Sequence, residues 1–155
     1  MNADYMKEAI QLAMDGMKAR KGGPFGAVIV RQGEVIGRGQ NQVTSTNDPT
    51  AHAEIVAIRE ATAQSGSFQL NGCDIYTSCE PCPMCLGAIY WARLDRIYYA
   101  ATREDAAVIG FDDRAIYDEY LKPVSERSLP MSQFLRDEAL DVFEIWANLN
   151  SKICY

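Results

Sequence analysis

The spacing of apolar residues predicts the elements of the first third of the chain. Across residues 4–20 apolar side chains recur every three or four positions, which is the period of an amphipathic helix, and Gly22-Gly23-Pro24 ends it. Two β-prone runs at 27–30 and 34–39 then flank Gln32-Gly33. A short turn dipeptide between two such runs predicts an antiparallel hairpin.

The rest of the chain alternates between helical and β-prone segments. Asp48-Pro49 has the residue types of a helix N-cap and first helical position, which predicts a helix to about Gln64. Strands are expected at 74–78 and 96–100, and Pro81 should open a helix that ends near Arg93. In the C-terminal third, residues 105–109, 114–120 and 139–149 predict helices, whereas 131–135 predicts either a strand or a loop.

This alternation predicts an α/β protein, a three-layer α/β/α sandwich. Its mixed five-stranded sheet would open with the antiparallel hairpin and continue with parallel strands. No internal repeat and no linker composition interrupts the pattern, so we expect residues 1–155 to form a single domain.

Composition and charge limit the kinds of partner that this domain is expected to bind. The 155 residues are 48% hydrophobic and 23% charged, as in an ordinary globular protein. A net charge of −6 argues against a surface for nucleic acid, and no nucleic-acid partner is expected. The longest apolar run, 84–92, is too short to cross a membrane, and the charged N-terminus does not resemble a signal peptide. We therefore expect a cytoplasmic protein whose five cysteines stay reduced. Metal binding or catalysis is then favoured over a disulfide framework.

Two short motifs carry residues that bind metals. Cys82 and Cys85 are three positions apart, so they share one face of a helix whose N-terminal dipole favours thiolates. With His52 they supply three zinc ligands, which leaves the fourth position to water. Glu54 lies only two residues after His52, so the two side chains can converge only at the first turn of a helix.

Each motif also has a simpler interpretation. C-x-x-C alone is equally typical of a redox pair or of two buried thiols, and His52 alone of a core histidine. In combination the motifs indicate a catalytic zinc site. This chain has a single His, and H-x-E followed by P-C-x-x-C is the pattern of zinc deaminases. Cys79 is a candidate fourth ligand, but it precedes Pro81 on the strand side, so an open site is favoured over a closed structural one.

These motifs resemble the cytidine deaminase superfamily and, within it, the small bacterial guanine deaminases. The resemblance is carried by His52-Ala53-Glu54 and by the run from Thr77 to Cys85. It extends over nearly the whole chain and is strongest from Gly22 to about Tyr117, through these further segments: 22–27, Asn41, 47–50, 87–93 and 110–113.

The resemblance implies a fold, a cofactor and a reaction. It implies a cytidine deaminase-like fold and one Zn²⁺ per chain, held by His52, Cys82 and Cys85 with water or hydroxide as fourth ligand. The hydroxide would attack C2 of guanine and yield xanthine and ammonia. Glu54 would take the proton of that water and return it to a ring nitrogen and then to the leaving amine.

The expected substrate-binding residues are Asn41, Phe25, Asp113, Ala53, Trp91 and Tyr155. The Asn41 amide can donate and accept at the edge of a base, although capping a loop would also explain it. Asp113 could accept from ring N–H groups or serve as the N-cap of the helix at Arg114. Phe25 and Trp91 would form walls for a flat ring unless they belong to the core.

The C-terminal segment, about 137–155, is expected to exchange with a partner subunit. In the deaminases that this chain resembles, this segment crosses to the partner of a homodimer and closes the pocket, which would put Tyr155 in the neighbouring site. The predicted last helix also carries apolar residues that need a surface: Leu140, Phe143, Trp146 and Leu149. The alternative is a frayed tail.

Other functions remain open at this stage. Zinc chemistry on this fold also serves deaminases of guanosine, cytosine and cytidine, and the tRNA adenosine deaminases. The acidic segment from Glu104 to Glu119 does not suit an RNA backbone. A zinc-stabilised binding module without turnover is the non-enzymatic alternative, and it gives no role to Glu54 beside an open zinc.

Overall fold

A four-stranded mixed sheet lies at the centre of residues 1–113. The computed structural model describes all 155 residues, which divide into two compact units, Met1–Asp113 and Arg114–Tyr155. The first unit contains, in chain order, α1 (Ala3–Lys18), β1 (Gly26–Arg31), β2 (Glu34–Gln40), α2 (Val43–Thr46), α3 (Ala53–Ser65), β3 (Cys73–Cys79), α4 (Pro83–Trp91), β4 (Arg96–Ala101) and α5 (Arg103–Val108).

The strand order is β2-β1-β3-β4, and the predicted hairpin is confirmed as the antiparallel pair β1–β2. Strand β3 runs antiparallel to β1 and parallel to β4. The α/β class is confirmed, but the prediction of five strands is wrong. The segment 131–135, the candidate fifth strand, forms none, because Leu135 has a φ of 52° that interrupts extended backbone and no strand of its own unit is there to pair with.

Both faces of β1 are buried, because successive side chains point to opposite sides of a strand. Ala27 and Ile29 join a core cluster with the alanines of α3. Val28 and Val30 join a second cluster with Ala9 of α1. The sheet therefore lies between helices on both sides, as the three-layer prediction requires.

Two helices begin later than the sequence predicts. Helix α3 begins at Ala53 with His52 as N-cap, because the Asp48 side chain accepts bonds from Thr50 N (2.8 Å) and Thr50 Oγ1 (2.6 Å) and so forms a separate turn. Helix α4 begins at Pro83 with Cys82 as N-cap, and not at Pro81. Both metal-ligand motifs therefore start at the N-cap of a helix.

Strand β2 and helix α3 approach unusually closely. A Cβ atom built on Gly39 would lie 1.9 Å from the carbonyl oxygen of Ala53, and one on Gly37 would lie 2.5 Å from that of Ala57. Only glycine fits at such a distance. The strand thereby determines where the first turn of α3, with His52 and Glu54, lies.

The second unit contains α6 (Arg114–Leu121), a 3-10 turn (Val124–Glu126) and α7 (Arg136–Ala147). Many of its apolar side chains are exposed; Phe143 is 67% and Trp146 46% exposed. The predicted single domain with an exchanged C-terminal segment stays a prediction. No helix of either unit combines the length and the apolar character needed to cross a membrane.

Candidate metal and substrate site

The starts of α3 and α4 bring three metal-binding side chains together. His52 and Cys82 are the N-caps of their helices and have nearly the same extended backbone, with φ/ψ of −68°/158° and −64°/167°. Cys85 follows in the first turn of α4 and is completely buried. Helix N-termini favour negative charge, which suits thiolate ligands.

The spacing of the ligand atoms fits a zinc ion. His52 Nδ1 lies 3.5 Å from Cys82 Sγ and 3.5 Å from Cys85 Sγ, and the three ligand atoms lie within 4.8 Å of one another. Around tetrahedral zinc, with bonds of ~2.0–2.1 Å to nitrogen and ~2.3 Å to sulfur, neighbouring nitrogen and sulfur ligands are about 3.5 Å apart. Cys79 lies outside this group, with its Sγ 3.4 Å from Thr102 O.

The three ligand side chains differ in their protonation. A hydrogen bond from Cys85, together with one from His52, lowers the pKa of Cys82 to about 4. The same Cys82–Cys85 contact and burial raise the pKa of Cys85, and the bond to Cys82 raises that of His52. Burial raises the pKa of Cys79 to about 11, so Cys79 stays a neutral thiol. Cys82 is thus already in the ligand form at neutral pH.

Glu54 is a buried acid beside the metal group. It is the second residue of α3 and only 7% exposed. Burial is the main cause that raises the pKa of its carboxyl, and the negative charge of Cys82 adds to it. A carboxyl whose pKa is raised by burial holds a proton more readily than an ordinary one, which suits a general acid–base group.

Hydrogen bonds connect the end of β2 to the metal group. Asn41 N donates to Phe25 O (3.0 Å), and Gln42 N donates to Ala51 O (2.9 Å), directly before His52. The structure thus brings Asn41 and Phe25, both predicted substrate contacts, to the same end of the sheet as His52. The Asn41 side chain is buried, and its Oδ1 accepts from Gly23 N (3.1 Å) and Val43 N (3.2 Å).

Two residues at the end of the first unit also belong to this region. Phe111 packs edge-to-face against Phe25, with ring centroids 4.9 Å apart at 88°. Asp113 is partly buried, and burial followed by the negative charge of Cys82 raises the pKa of its carboxyl. Sequence reasoning did not single out Phe111 as a wall of the site, and only its place in the family-like run 110–113 pointed to it.

The other three predicted substrate contacts lie in three different parts of the chain. Ala53 is completely buried in the core cluster. Trp91 ends α4, six residues and therefore about 9 Å of helix beyond Cys85, and is 62% exposed. Tyr155 ends the second unit and is 70% exposed. Their roles in binding stay predictions.

Comparisons with known proteins agree with this geometry. Residues 1–101 match the family described as the cytidine and deoxycytidylate deaminase zinc-binding region. Guanine deaminase of Bacillus subtilis (strain 168) is 55% identical over 148 residues, which cover 96% of this chain and 95% of the relative. The X-ray structure of guanine deaminase from Bacillus subtilis superposes with a TM-score of 0.96 at 54% identity, over 100% of this chain and 99% of that one.

A tRNA-specific adenosine deaminase of Aquifex aeolicus is more distant, at 34% identity over 73% of this chain and 80% of the relative. The family match includes His52, Cys82 and Cys85, whose arrangement suits one zinc per chain. The chain therefore belongs to the cytidine and deoxycytidylate deaminase family, whose members share this zinc-binding region.

Proposed function

We propose that this chain is a zinc-dependent guanine deaminase, which converts guanine and water to xanthine and ammonia. The observation that carries the proposal is the buried Glu54 beside a three-ligand metal group, in a chain that matches a guanine deaminase over nearly its full length. A structural zinc site would need four protein ligands and no neighbouring acid.

His52, Cys82 and Cys85 would hold the metal. Zinc bound there supplies a water molecule acidic enough to react at neutral pH. The reaction forms a C–O bond at C2 of guanine and breaks the C–N bond to the amino group. A donor set of one imidazole and two thiols is typical of zinc in proteins.

Glu54 would move the protons. Its carboxylate takes a proton from the attacking water and passes it to a ring nitrogen. It then takes the remaining proton of the hydroxyl added at C2 and gives it to the amine, which leaves as ammonia. Burial suits this role, because the raised pKa of the carboxyl makes its protonated form accessible during the cycle.

The base would lie against the Phe25–Phe111 pair, with Asn41 and Asp113 at its edges. Edge-to-face packing makes a rigid apolar wall for a flat ring. Asp113 supplies an acceptor for the ring N–H at N1, which guanine has and adenine lacks. Ala53, Trp91 and Tyr155 are further proposed contacts on the grounds of the family resemblance.

The proposal is tested by ammonia release from guanine, guanosine, adenine, cytosine, cytidine and a tRNA anticodon stem-loop. Guanine should be the best substrate, and a clear preference for another compound would overturn the assignment. Glu54→Gln should keep zinc and fold but lose ~10²–10⁴-fold in turnover. Glu60→Gln makes the same change on the same helix at a site whose carboxylate bonds Arg38 N, and it should stay active.

We also propose a cytoplasmic homodimer in which the C-terminal segment completes the partner's site. The exposed apolar residues of α7 support this, because such surfaces are normally covered by another chain. A chain lacking residues 153–155 should bind zinc but be nearly inactive. Mixed with Glu54→Gln chains, it should recover activity, because one site of the mixed dimer combines an intact Glu54 with an intact donated tail. Demonstrated heterodimers without activity would refute the exchange.

A further inference from the structure

Asn41 has only its amino group left to offer to a ligand. Its Oδ1 accepts from two backbone N–H groups, Gly23 N and Val43 N, which occupy the two lone pairs of an amide oxygen. Because both partners are donors, the opposite orientation of the carboxamide would place its NH₂ against two N–H groups. The orientation is therefore unambiguous.

The amino group itself has no acceptor within the chain. The fully buried side-chain nitrogen or oxygen that lacks a partner is Arg127 Nε, so Asn41 Nδ2 is not fully buried and is open to solvent or to a ligand. Asn41 is 5% exposed, and its side chain is hydrogen-bonded only through Oδ1, so Nδ2 can donate to a ligand. We expect this ligand to offer a hydrogen-bond acceptor on the base.

The turn at Gly22-Gly23 is built around this carboxamide. A Cβ atom on Gly22 would lie 2.1 Å from Asn41 Oδ1 and 2.6 Å from Asn41 O, distances at which one of the groups must move. A Cβ atom on Gly23 would lie 3.0 Å from both Phe25 Cε2 and Phe111 Cζ. The first glycine thus adjoins the polar contact, and the second adjoins the aromatic wall.

Helix α2 holds the other side of the turn. Lys21 O accepts from Ser45 N (3.1 Å) and from Thr44 Oγ1 (3.0 Å), while Val43 N bonds Asn41. The short helix therefore connects the turn to the end of β2. These bonds leave the turn little freedom to relax away from an added side chain.

We infer that Gly22-Gly23 is a positioning element that holds Asn41 as a pure hydrogen-bond donor to the base. This inference rests on the proposed function, because it assigns a specificity role within the same site. Asn41 then requires an acceptor on its edge of the ring, whereas Asp113 requires a donor on another edge. Guanine satisfies both requirements, since it has a carbonyl oxygen and ring N–H groups.

Steady-state kinetics with guanine test the two parts of the inference separately. Gly22→Ala should raise KM about three- to tenfold, the range for one misplaced neutral hydrogen bond, with a smaller change in kcat. Asn41→Asp keeps an acceptor for both backbone N–H groups but removes the donor, so it should keep Tm and raise KM at least about tenfold. Equilibrium binding of radiolabelled guanine in the Glu54→Gln background should show the same losses without turnover.

The control is Gly33→Ala in the hairpin turn, at the opposite end of β1 and β2. Its φ of 87° makes the variant strained, so it should lower Tm without changing KM. In the Asn41→Asp background, Gly22→Ala should change KM less than twofold, because the group it positions is already absent.

Three results would overturn the inference: a parental KM in Gly22→Ala, a parental KM in Asn41→Asp, or effects of the two changes that multiply. If Gly22→Ala does not fold, Asn41→Asp alone decides the donor role. A parent protein that does not deaminate guanine would instead refute the proposed function, which keeps the two failures distinct.

Discussion

Replacing Gly39 with alanine should move the first turn of α3 and thereby damage the metal site. The added Cβ atom would lie 1.9 Å from Ala53 O and 2.7 Å from Ala57 N, whereas real Cβ contacts are essentially never under 3.0 Å. Strand and helix must therefore separate by more than about 1 Å. His52 is the residue directly before Ala53, so it moves with the helix.

The expected cost follows from this displacement. Overpacking of a well-packed core costs ~1–3 kcal/mol, and a clash between two backbones belongs at the upper end, because neither can swing away. For a chain of this size each kcal/mol lowers Tm by roughly 2–4 °C, so a decrease of roughly 6–12 °C is expected. A shift of ~1 Å in a catalytic group costs about 10²-fold in rate.

Three measurements on Gly39→Ala check this reasoning: thermal unfolding, zinc content and guanine turnover. Gly16→Ala on α1 is the matched control, because its Cβ atom would meet only side-chain atoms of Gln40, Oε1 at 2.9 Å and Cβ at 3.1 Å, and no backbone atom. Alanine also favours a helix interior, so this variant should lose much less stability than Gly39→Ala and keep its zinc and turnover. A Gly39→Ala protein with parental Tm, zinc content and turnover would show that the close approach does not position His52.

Further substitutions test the site residue by residue. Cys85→Ala should lose most of the zinc, whereas Cys79→Ala, which removes a neutral thiol outside the group, should keep it; equal zinc in both would contradict the ligand assignment. Asp113→Ala should reduce kcat/KM for guanine at least about tenfold with little change in Tm, measured by ammonia release, because an unpaired ring N–H costs ~1–3 kcal/mol. Phe111→Ala should raise KM for guanine several-fold by removing half of the edge-to-face pair; an unchanged KM would show that the base does not use this wall.

The two halves of the metal group could be predicted from the sequence because the geometry within each half is local. Cys82 and Cys85 share a helix face by their spacing, and His52 and Glu54 can converge only at a helix start, wherever that start lies. The same holds for the first helix and the hairpin, whose apolar periods depend on neighbours within a few residues. Such features need no knowledge of what packs against them.

Other features depended on particular hydrogen bonds or on distant parts of the chain, which the residue pattern does not show. The helix expected at Asp48 begins at Ala53, because the Asp48 side chain bonds Thr50 instead of capping a helix. Helix α2 is too short to show a period, and the bonds to Lys21 O show its role. A fifth strand would have needed a partner strand, and none exists in the unit that contains residues 131–135.

The orientation of Asn41 was decided in the same way. As a residue type it can donate or accept, and the sequence by itself determined only that an amide stands after the second strand. The folded chain brings two backbone N–H groups, one from the Gly22-Gly23 turn and one from α2, to the same oxygen. Burial then makes these bonds obligatory, because an unpaired polar group away from water is costly, and so the tertiary structure leaves the amide only its donor function.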